Sequence, residues 1–388
     1  MKDQATNQRL QLLSGNHAVA MGVMLARPDV TPVYPITPQT PILEKLTELH
    51  GQGRLGARML TPESEHSVMA TCISASLTGA RVFTATSSQG LMLMHELLHY
   101  ASGARAPIVM FNVNRTPASP WGFWPDQLDS LSQRDTGWIQ LYSESPQESL
   151  DLVIQAFRIA EQVELPVMVN HDAFYVSHAM EPVDVPEQTD IDSFLPPFHK
   201  DLRLDVTTGR AFGAPADQAT WNRTRRDMAR AMDRVPNLFS EVGNAWQSLT
   251  GRASGPLETY RMDDADRVFV VLGSLAGTVR DAVDALREKG VRAGLAKLRL
   301  LRPLPVALLR DLLCGRDDVL VLDRDYSPGM GGILHQEVAA ALHGAPRSPR
   351  LHGFLTGVGG VNVPIQRLVD LAEGIGTGEA AFESVWVD

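Results

Sequence analysis

Cysteine is nearly missing: the 388 residues hold two, Cys72 and Cys314, far apart and without a CxxC pair. That excludes a disulfide framework and a cysteine zinc site. It also excludes a cubane iron–sulfur cluster held by this chain alone, since such a cluster takes four thiolates. A reducing, cytoplasmic setting is expected. No apolar run nears the ~18 residues of a membrane span, and the opening MKDQATNQRLQLLSG lacks the apolar stretch and cleavage site of a secretory signal. Dense basic blocks are absent too. With 35 Lys and Arg against 45 Asp and Glu, a formal net charge of −10, the chain does not suit nucleic acid, whose binding rests on cationic contacts that release counterions. Neither membrane nor nucleic acid is an expected partner. G-x-x-x-x-G-K-S/T is missing from the chain, and the Gly273 turn after a predicted strand lacks G-x-G-x-x-G, so nucleotide binding is not established there.

What is there reads as globular protein. Hydrophobic residues make up 44% and charged residues 21%, and at about 150 residues per domain the length suggests two to three domains. From Gly15 to about Asp172, β-rich runs (VTPVYPI, ARVFTATS, APIVMFNVN, ELPVMVNHD) alternate with helical periodicity (TPILEKLTELH, GLMLMHELLHYASG, SPQESLDLVIQAFRIAEQ). Such alternation places parallel strands between helices, because parallel neighbours need crossovers. The predicted boundaries are an α/β domain over 1–180, a linker with one or two surface helices over 181–263, and a second, smaller α/β domain over 264–388.

Several segments compete as sites. His95, Glu96, Leu97, Leu98 and His99 spell H-E-x-x-H, two imidazoles one turn apart with a carboxylate between them, the pattern of a zinc hydrolase. No clear third ligand follows, and apolar residues fall on more than one side of that helix, which favours packed scaffold histidines. Gly273 to Thr278 read as a strand-to-helix turn, with anion binding the less favoured alternative. The stiff segment Tyr34–Pro41 sits at a strand's carboxyl end, where open α/β sheets bind ligands, and holds the Thr37 hydroxyl in place. Thr61 to Ser67 open a helix, with Thr61 the expected N-cap and Pro62 the first helical residue. Glu63 and Glu65 are then either dipole-complementing acids or one of them faces a cleft. Arg115 ends a strand before a long aromatic loop and suits either a substrate carboxylate or an internal ion pair.

In chain order, YPITPQTP at 34–41, ESEHS at 63–67, ATSSQGL at 85–91, NVNR at 112–115, WPDQLDSLSQRDTGWIQLY at 124–142, LGSLAGTV at 272–279 and VLDRDYSPGMGG at 321–332 form one set of landmarks. Together they resemble the 2-oxoacid:ferredoxin oxidoreductase alpha subunit, most closely the pyruvate:ferredoxin oxidoreductase alpha chain. The resemblance implies a thiamine-diphosphate-binding α/β fold: a pyrimidine-type domain, its parallel sheet covered by helices on both faces, plus a smaller transketolase C-terminal-like domain. It implies oxidative decarboxylation of a 2-oxo acid, pyruvate first, to acyl-CoA and CO₂ with reduction of ferredoxin or flavodoxin. Matched position by position, Glu65 contacts the cofactor's aminopyrimidine, Thr37 and Arg115 hold the 2-oxo acid, and Pro35, Ile36, Ser88 and Gln89 line the cofactor.

Thiamine enzymes generally bind diphosphate and Mg²⁺ through G-D-G and a following N-N pair, and this chain has no G-D-G. Diphosphate, Mg²⁺ and 4Fe–4S clusters are therefore expected on partner chains: a beta subunit, with gamma and delta subunits where the assembly has them. Two tracts depart from the pyruvate pattern, Gly122-Phe123-Trp124-Pro125 and Gly359-Gly360-Val361-Asn362. They leave open a branched-chain acid, 2-oxoglutarate or oxalate as substrate. The zinc hydrolase and a non-catalytic assembly subunit are the remaining alternatives.

Overall fold

Continuous apolar strands bounded by amphipathic helices call for a sheet covered on both faces, and the computed structural model, which describes residues 9–375 and 383–387, contains two. The first region runs β1 (Leu10–Ser14), α1 (Gly15–Ala26), β2 (Val30–Pro32), α2 (Thr40–Gly51), β3 (Arg58–Leu60), α3 (Glu65–Leu77) and β4 (Val82–Thr86). It continues through α4 (Ser88–Leu93), α5 (His95–Gly103), β5 (Ile108–Asn114), α6 (Leu128–Leu131), β6 (Ile139–Tyr142), α7 (Pro146–Val163), β7 (Val167–Asp172), β8 (Met180–Asp184), α8 (Gln188–Phe194) and α9 (Gln218–Thr250). The second gives β9 (Leu257–Tyr260), β10 (Arg267–Leu272), α10 (Leu275–Glu288), β11 (Ala293–Leu298), β12 (Leu300–Arg302), α11 (Val306–Leu313), β13 (Asp318–Asp323), α12 (Ile333–Leu342), β14 (Arg350–Leu355), α13 (Ile365–Gly374) and β15 (Val385–Trp386).

Seven strands form the first sheet in the order β12-β6-β7-β5-β4-β2-β3, parallel except where β12 meets β6. Its alternate residues serve two cores. Phe83, Val109 and Phe111 pack with α1, α2, α7 and α9, while Val82, Ile108 and Met110 pack with α3, α4 and α5. Six strands form the second sheet, β15-β14-β13-β10-β11-β9, parallel but for β9. Leu131 and Tyr142 of the first region lie in a core built mostly by the second, and β12 crosses back to the first sheet.

Four local expectations need correction. Tyr34 to Ile36 do not extend β2, because Pro35 and Pro38 offer no amide to a neighbouring strand. The helix expected over 90–103 breaks at Met94, whose amide is shared between Gly90 O and Leu91 O, and the break lets Leu91, Met94 and Leu98 all reach one core. α3 starts later than expected, at Glu65, with Ser64 rather than Thr61 as its cap. α9 is no mere surface helix: Ala231, Val235, Phe239, Val242 and Trp246 form a buried stripe at helical spacing.

Candidate active site

The order of the first sheet reverses between β2 and β4: the chain runs outward from β2 to β3, then returns to start β4 on the other side of β2. α2 leaves over one face of the sheet, and α4 and α5 over the other. A crevice outside the strand carboxyl ends is expected at such a point. The Tyr34–Gln39 loop, the Ser87–Ser88 turn and the loop after β5 meet there.

Ser64 caps α3, its hydroxyl accepting the Ser67 amide at 3.3 Å. That cap decides between the two acids. Glu63 stays outside, exposed and accepting a hydrogen bond from Ser67 Oγ, while Glu65 turns inward and is only 8% exposed. Among the described residues the Glu65 carboxylate has no hydrogen-bond or ion-pair partner. Gly90 on α4 backs it: a Cβ there would stand 2.6 Å from Glu65 Oε1 and 2.5 Å from Thr86 Oγ1, a buried hydroxyl that is itself unpartnered. Gln39, fully buried, has both side-chain amide atoms unpartnered.

Arg115 links the remaining candidates. Its guanidinium donates to the backbone oxygen of Thr37 and to Gln89 Oε1, and its Nε is buried without an acceptor. Among the described residues it makes no ion pair, which removes the internal-pair reading. Burial lowers its pKa, against the nearby Asp129 charge that raises it. The Trp121 and Phe123 ring centroids lie 5.3 and 5.5 Å from the guanidinium carbon. The loop that carries them is stapled by Thr116, whose Oγ1 accepts from Gly122 N at 2.6 Å and donates to Gly122 O at 2.8 Å. Thr37 and Pro35 are exposed and Ile36 half-buried. Ser88 faces the scaffold, its hydroxyl donating to Thr116 O at 2.8 Å, so in this arrangement it does not point toward the Glu65 side.

One residue that sequence reasoning passed over is central. Asp129, fully buried, accepts from Asn114 Nδ2 at 2.6 Å, Ser130 N at 2.7 Å, Ser88 N at 3.0 Å and Arg115 N at 3.2 Å. Burial pushes its carboxyl up to about 7 despite those donors. No spacing rule marks an acid whose partners are backbone amides from two other elements. The two tracts that depart from the pyruvate pattern also meet, since Gly360 packs against Trp124 and its carbonyl accepts from Tyr175 Oη at 2.6 Å.

The remaining motifs resolve as scaffold. His95 Nδ1 pairs with Gln133 Oε1 at 2.5 Å and its ring meets His99 edge-on, while Glu96 is exposed. Among the described residues the one grouping of three potential ligand side chains is Glu144, Glu148 and Glu258, which omits all of H-E-x-x-H. That grouping is already filled by Lys297, Arg299 and Arg280. At the Gly273 turn, Ser274 donates through both N and Oγ to Asp172, which also holds Arg324 at 3.1 Å and so joins the two regions.

A partnerless carboxylate backed by Gly90, with the orphaned Thr86 hydroxyl beside them, fits the pyrimidine end of thiamine diphosphate. The fold and this site define a subunit of a thiamine-diphosphate-binding enzyme. Residues 21–244 match the family model described as pyruvate flavodoxin/ferredoxin oxidoreductase, thiamine diP-binding, and residues 265–368 match pyruvate:ferredoxin oxidoreductase core domain II. The chain is 45% identical over 365 residues to ketoisovalerate oxidoreductase subunit VorA of Pyrococcus abyssi, covering 94% of this chain and 92% of that one. It is 42% identical over 356 residues to pyruvate synthase subunit PorA of Methanothermobacter thermautotrophicus, covering 91% and 92%. The chain therefore belongs to the 2-oxoacid:ferredoxin oxidoreductases, as an alpha subunit. In fold it is similar to a 2-oxoglutarate:ferredoxin oxidoreductase from Magnetococcus marinus, with a TM-score of 0.71 at 20% identity over 94% of this chain. This chain spans 65% of that longer one. A split-gene transketolase shares the fold at a TM-score of 0.55 and 13% identity, over 93% of this chain and 96% of that one.

Proposed function

We propose that this subunit supplies the pyrimidine half of a thiamine diphosphate site and the anchor for a 2-oxo acid. Partner chains supply diphosphate and Mg²⁺ binding and the 4Fe–4S clusters, with coenzyme A and ferredoxin or flavodoxin as the other reactants. The observation that carries this reading is Glu65: a buried carboxylate at a helix start, backed by Gly90, with no partner in its own chain. A donor brought by a ligand would give that carboxylate the partner it lacks in its own chain.

When bound, the cofactor supplies the carbon that takes up the 2-oxo acid and the conjugated system that stores the electrons released with CO₂. Glu65 accepts from, or shares a proton with, a ring nitrogen of the pyrimidine and so acts on the reacting carbon indirectly. Arg115, the cation beside Thr37 and Gln89, would offer the substrate carboxylate a charged donor; it orients a group that is about to leave as CO₂ and gains nothing by holding it tightly. Thr37, exposed at the mouth beside Arg115, steers a substrate oxygen. Pro35 and Ile36 shape that rim, and Gln89 holds the guanidinium. In the co-expressed complex, Glu65→Gln should slow deuterium exchange at the thiazolium C2 by roughly 10²–10⁴. Exchange at the wild-type rate would remove Glu65 from this role.

Pyruvate is the substrate that the resemblance implies. A second reading is favoured by the aromatic wall over Arg115, where Trp121 and Phe123 are 57% and 41% exposed. Rings so placed suit a branched apolar side group, as in ketoisovalerate, better than a methyl group. Each added methylene in such a pocket is worth about 1–3 kcal/mol. If the wall selects, Phe123→Ala lowers kcat/KM for ketoisovalerate more than for pyruvate; equal losses would return the assignment to pyruvate.

A further inference from the structure

We propose that Asp129 is a positioning residue that sets the spacing between Arg115 and the Glu65 side of the site; this rests on the functional reading above. β4 and β5 lie side by side and parallel, with Thr86 opposite Asn112, and both chains turn away just beyond those residues. A single oxygen, Asp129 Oδ2, accepts from Ser88 N after β4 at 3.0 Å and from Arg115 N after β5 at 3.2 Å, with Asn112 Nδ2 at 3.3 Å. The other oxygen is held by Asn114 Nδ2 and Ser130 N. The carboxylate is thus fixed on one side and clamps two backbones with the other.

What it clamps is strained. Ser88 has φ 45°, a left-handed conformation that is unfavourable for a non-glycine residue and persists only where its surroundings enforce it. The next two residues carry the consequence. Gln89 accepts from the Arg115 guanidinium, and Gly90 is the wall behind the Glu65 carboxylate. Relaxation at Ser88 therefore shifts the Arg115 anchor and the Glu65 backing together. Asp129 itself is fully buried, so it acts through these residues and touches no ligand.

A purely structural acid would affect stability alone. The test uses Asp129→Asn in the co-expressed complex, with three readouts. Hydrogen-exchange mass spectrometry should show lost amide protection in peptides spanning 86–92 and 112–117. The dissociation constant for thiamine diphosphate, followed by near-ultraviolet circular dichroism, and the KM for the 2-oxo acid should each rise about tenfold, the factor that 1.4 kcal/mol represents. Adding Ser88→Gly, which accepts a positive φ without strain, should restore cofactor affinity and recover KM only in part, because Arg115 N stays unclamped. Should Asp129→Asn fail to assemble, Asn114→Ala, which frees one side of the same carboxylate, should raise both constants in the same direction by a smaller factor. Cofactor affinity and KM that stay at wild-type values while only the melting temperature falls would overturn the proposal. A wild-type complex that neither binds thiamine diphosphate nor consumes any 2-oxo acid would instead overturn the functional reading beneath it.

Discussion

At position 90 a single methyl group decides where the Glu65 carboxylate sits. A Cβ there meets Thr86 Oγ1 at 2.5 Å and Glu65 Oε1 and Cγ at 2.6 and 2.9 Å; the Glu65 side chain can swing away, but Thr86, β-branched and fully buried on β4, is stiff. Gly90→Ala should therefore cost about 1–3 kcal/mol of stability, while cofactor affinity falls at least tenfold. Thermal melting and cofactor titration of the same preparation check both halves, and an unchanged affinity would mean that Glu65 does not face the cofactor. Sequence narrowed the choice to Glu63 and Glu65 because both lie where a helix begins. The family resemblance pointed to Glu65, but local spacing could not choose between them, since the choice turns on the Ser64 cap and on a glycine 25 residues further along the chain. Asp129 has a pH signature as well. Its carboxyl is raised from 3.8 to about 7 by burial, so the folded chain binds that proton more readily than the unfolded one. Its contribution to stability is present below pH 3.8 and is lost as pH rises through about 7. The stability gap between wild type and Asp129→Asn should shrink over that range, as measured by denaturant titration at several pH values.

Elements with long periodic signals were legible, and short or irregular ones were not. α7 announces itself in SPQES: Ser145 caps the helix through the Glu148 amide at 3.2 Å, and Glu148 reaches back to Glu144 N at 2.7 Å, a close relative of the capping box. The three-residue strands β3 and β12 span too little chain for alternation to register, and β2, read from VTPVYPI, is shorter than that run. α9 misled for another reason. Five arginines and two aspartates crowd its first half, and Pro236 lies inside it, which hides the apolar stripe from a reading by composition. That stripe nonetheless packs into the same core as α7 and the first sheet. Phe239→Ala should cost about 3–5 kcal/mol of stability and leave the KM of the surviving folded enzyme unchanged. A cost below about 1 kcal/mol would show α9 to be a surface helix after all.

Across the whole molecule, the two sheets are tied by charge as well as by shared core. Lys297, 1% exposed at the end of β11, faces Glu148 at the start of α7 at 2.9 Å, Glu144 at 2.8 Å and Glu258 on β9 at 3.1 Å. Arg299 pairs with Glu148 and Glu258, and Arg280 with Glu144 and Glu258. Three cations balance three anions, so removing one carboxylate strands buried positive charge. Glu148→Gln should cost about 3–5 kcal/mol, as expected when one partner of a buried pair is lost. Because β12 and the Asp172–Arg324 bridge still join the regions, calorimetry should show one transition at lower temperature. Two separated transitions would mean that this network alone couples the sheets. The pH dependence follows from the same contacts. Burial by itself would raise the Glu148 carboxyl, but Lys297 and Arg299 hold it well below its ordinary 4.5. A depressed acid contributes stability that is present above pH 4.5 and is lost as pH falls toward its folded value. The wild-type advantage over Glu148→Gln should therefore be full at neutral pH and narrow steadily below 4.5. An advantage that stayed constant down to pH 3 would show that Glu148 stabilises the junction by packing and not by charge.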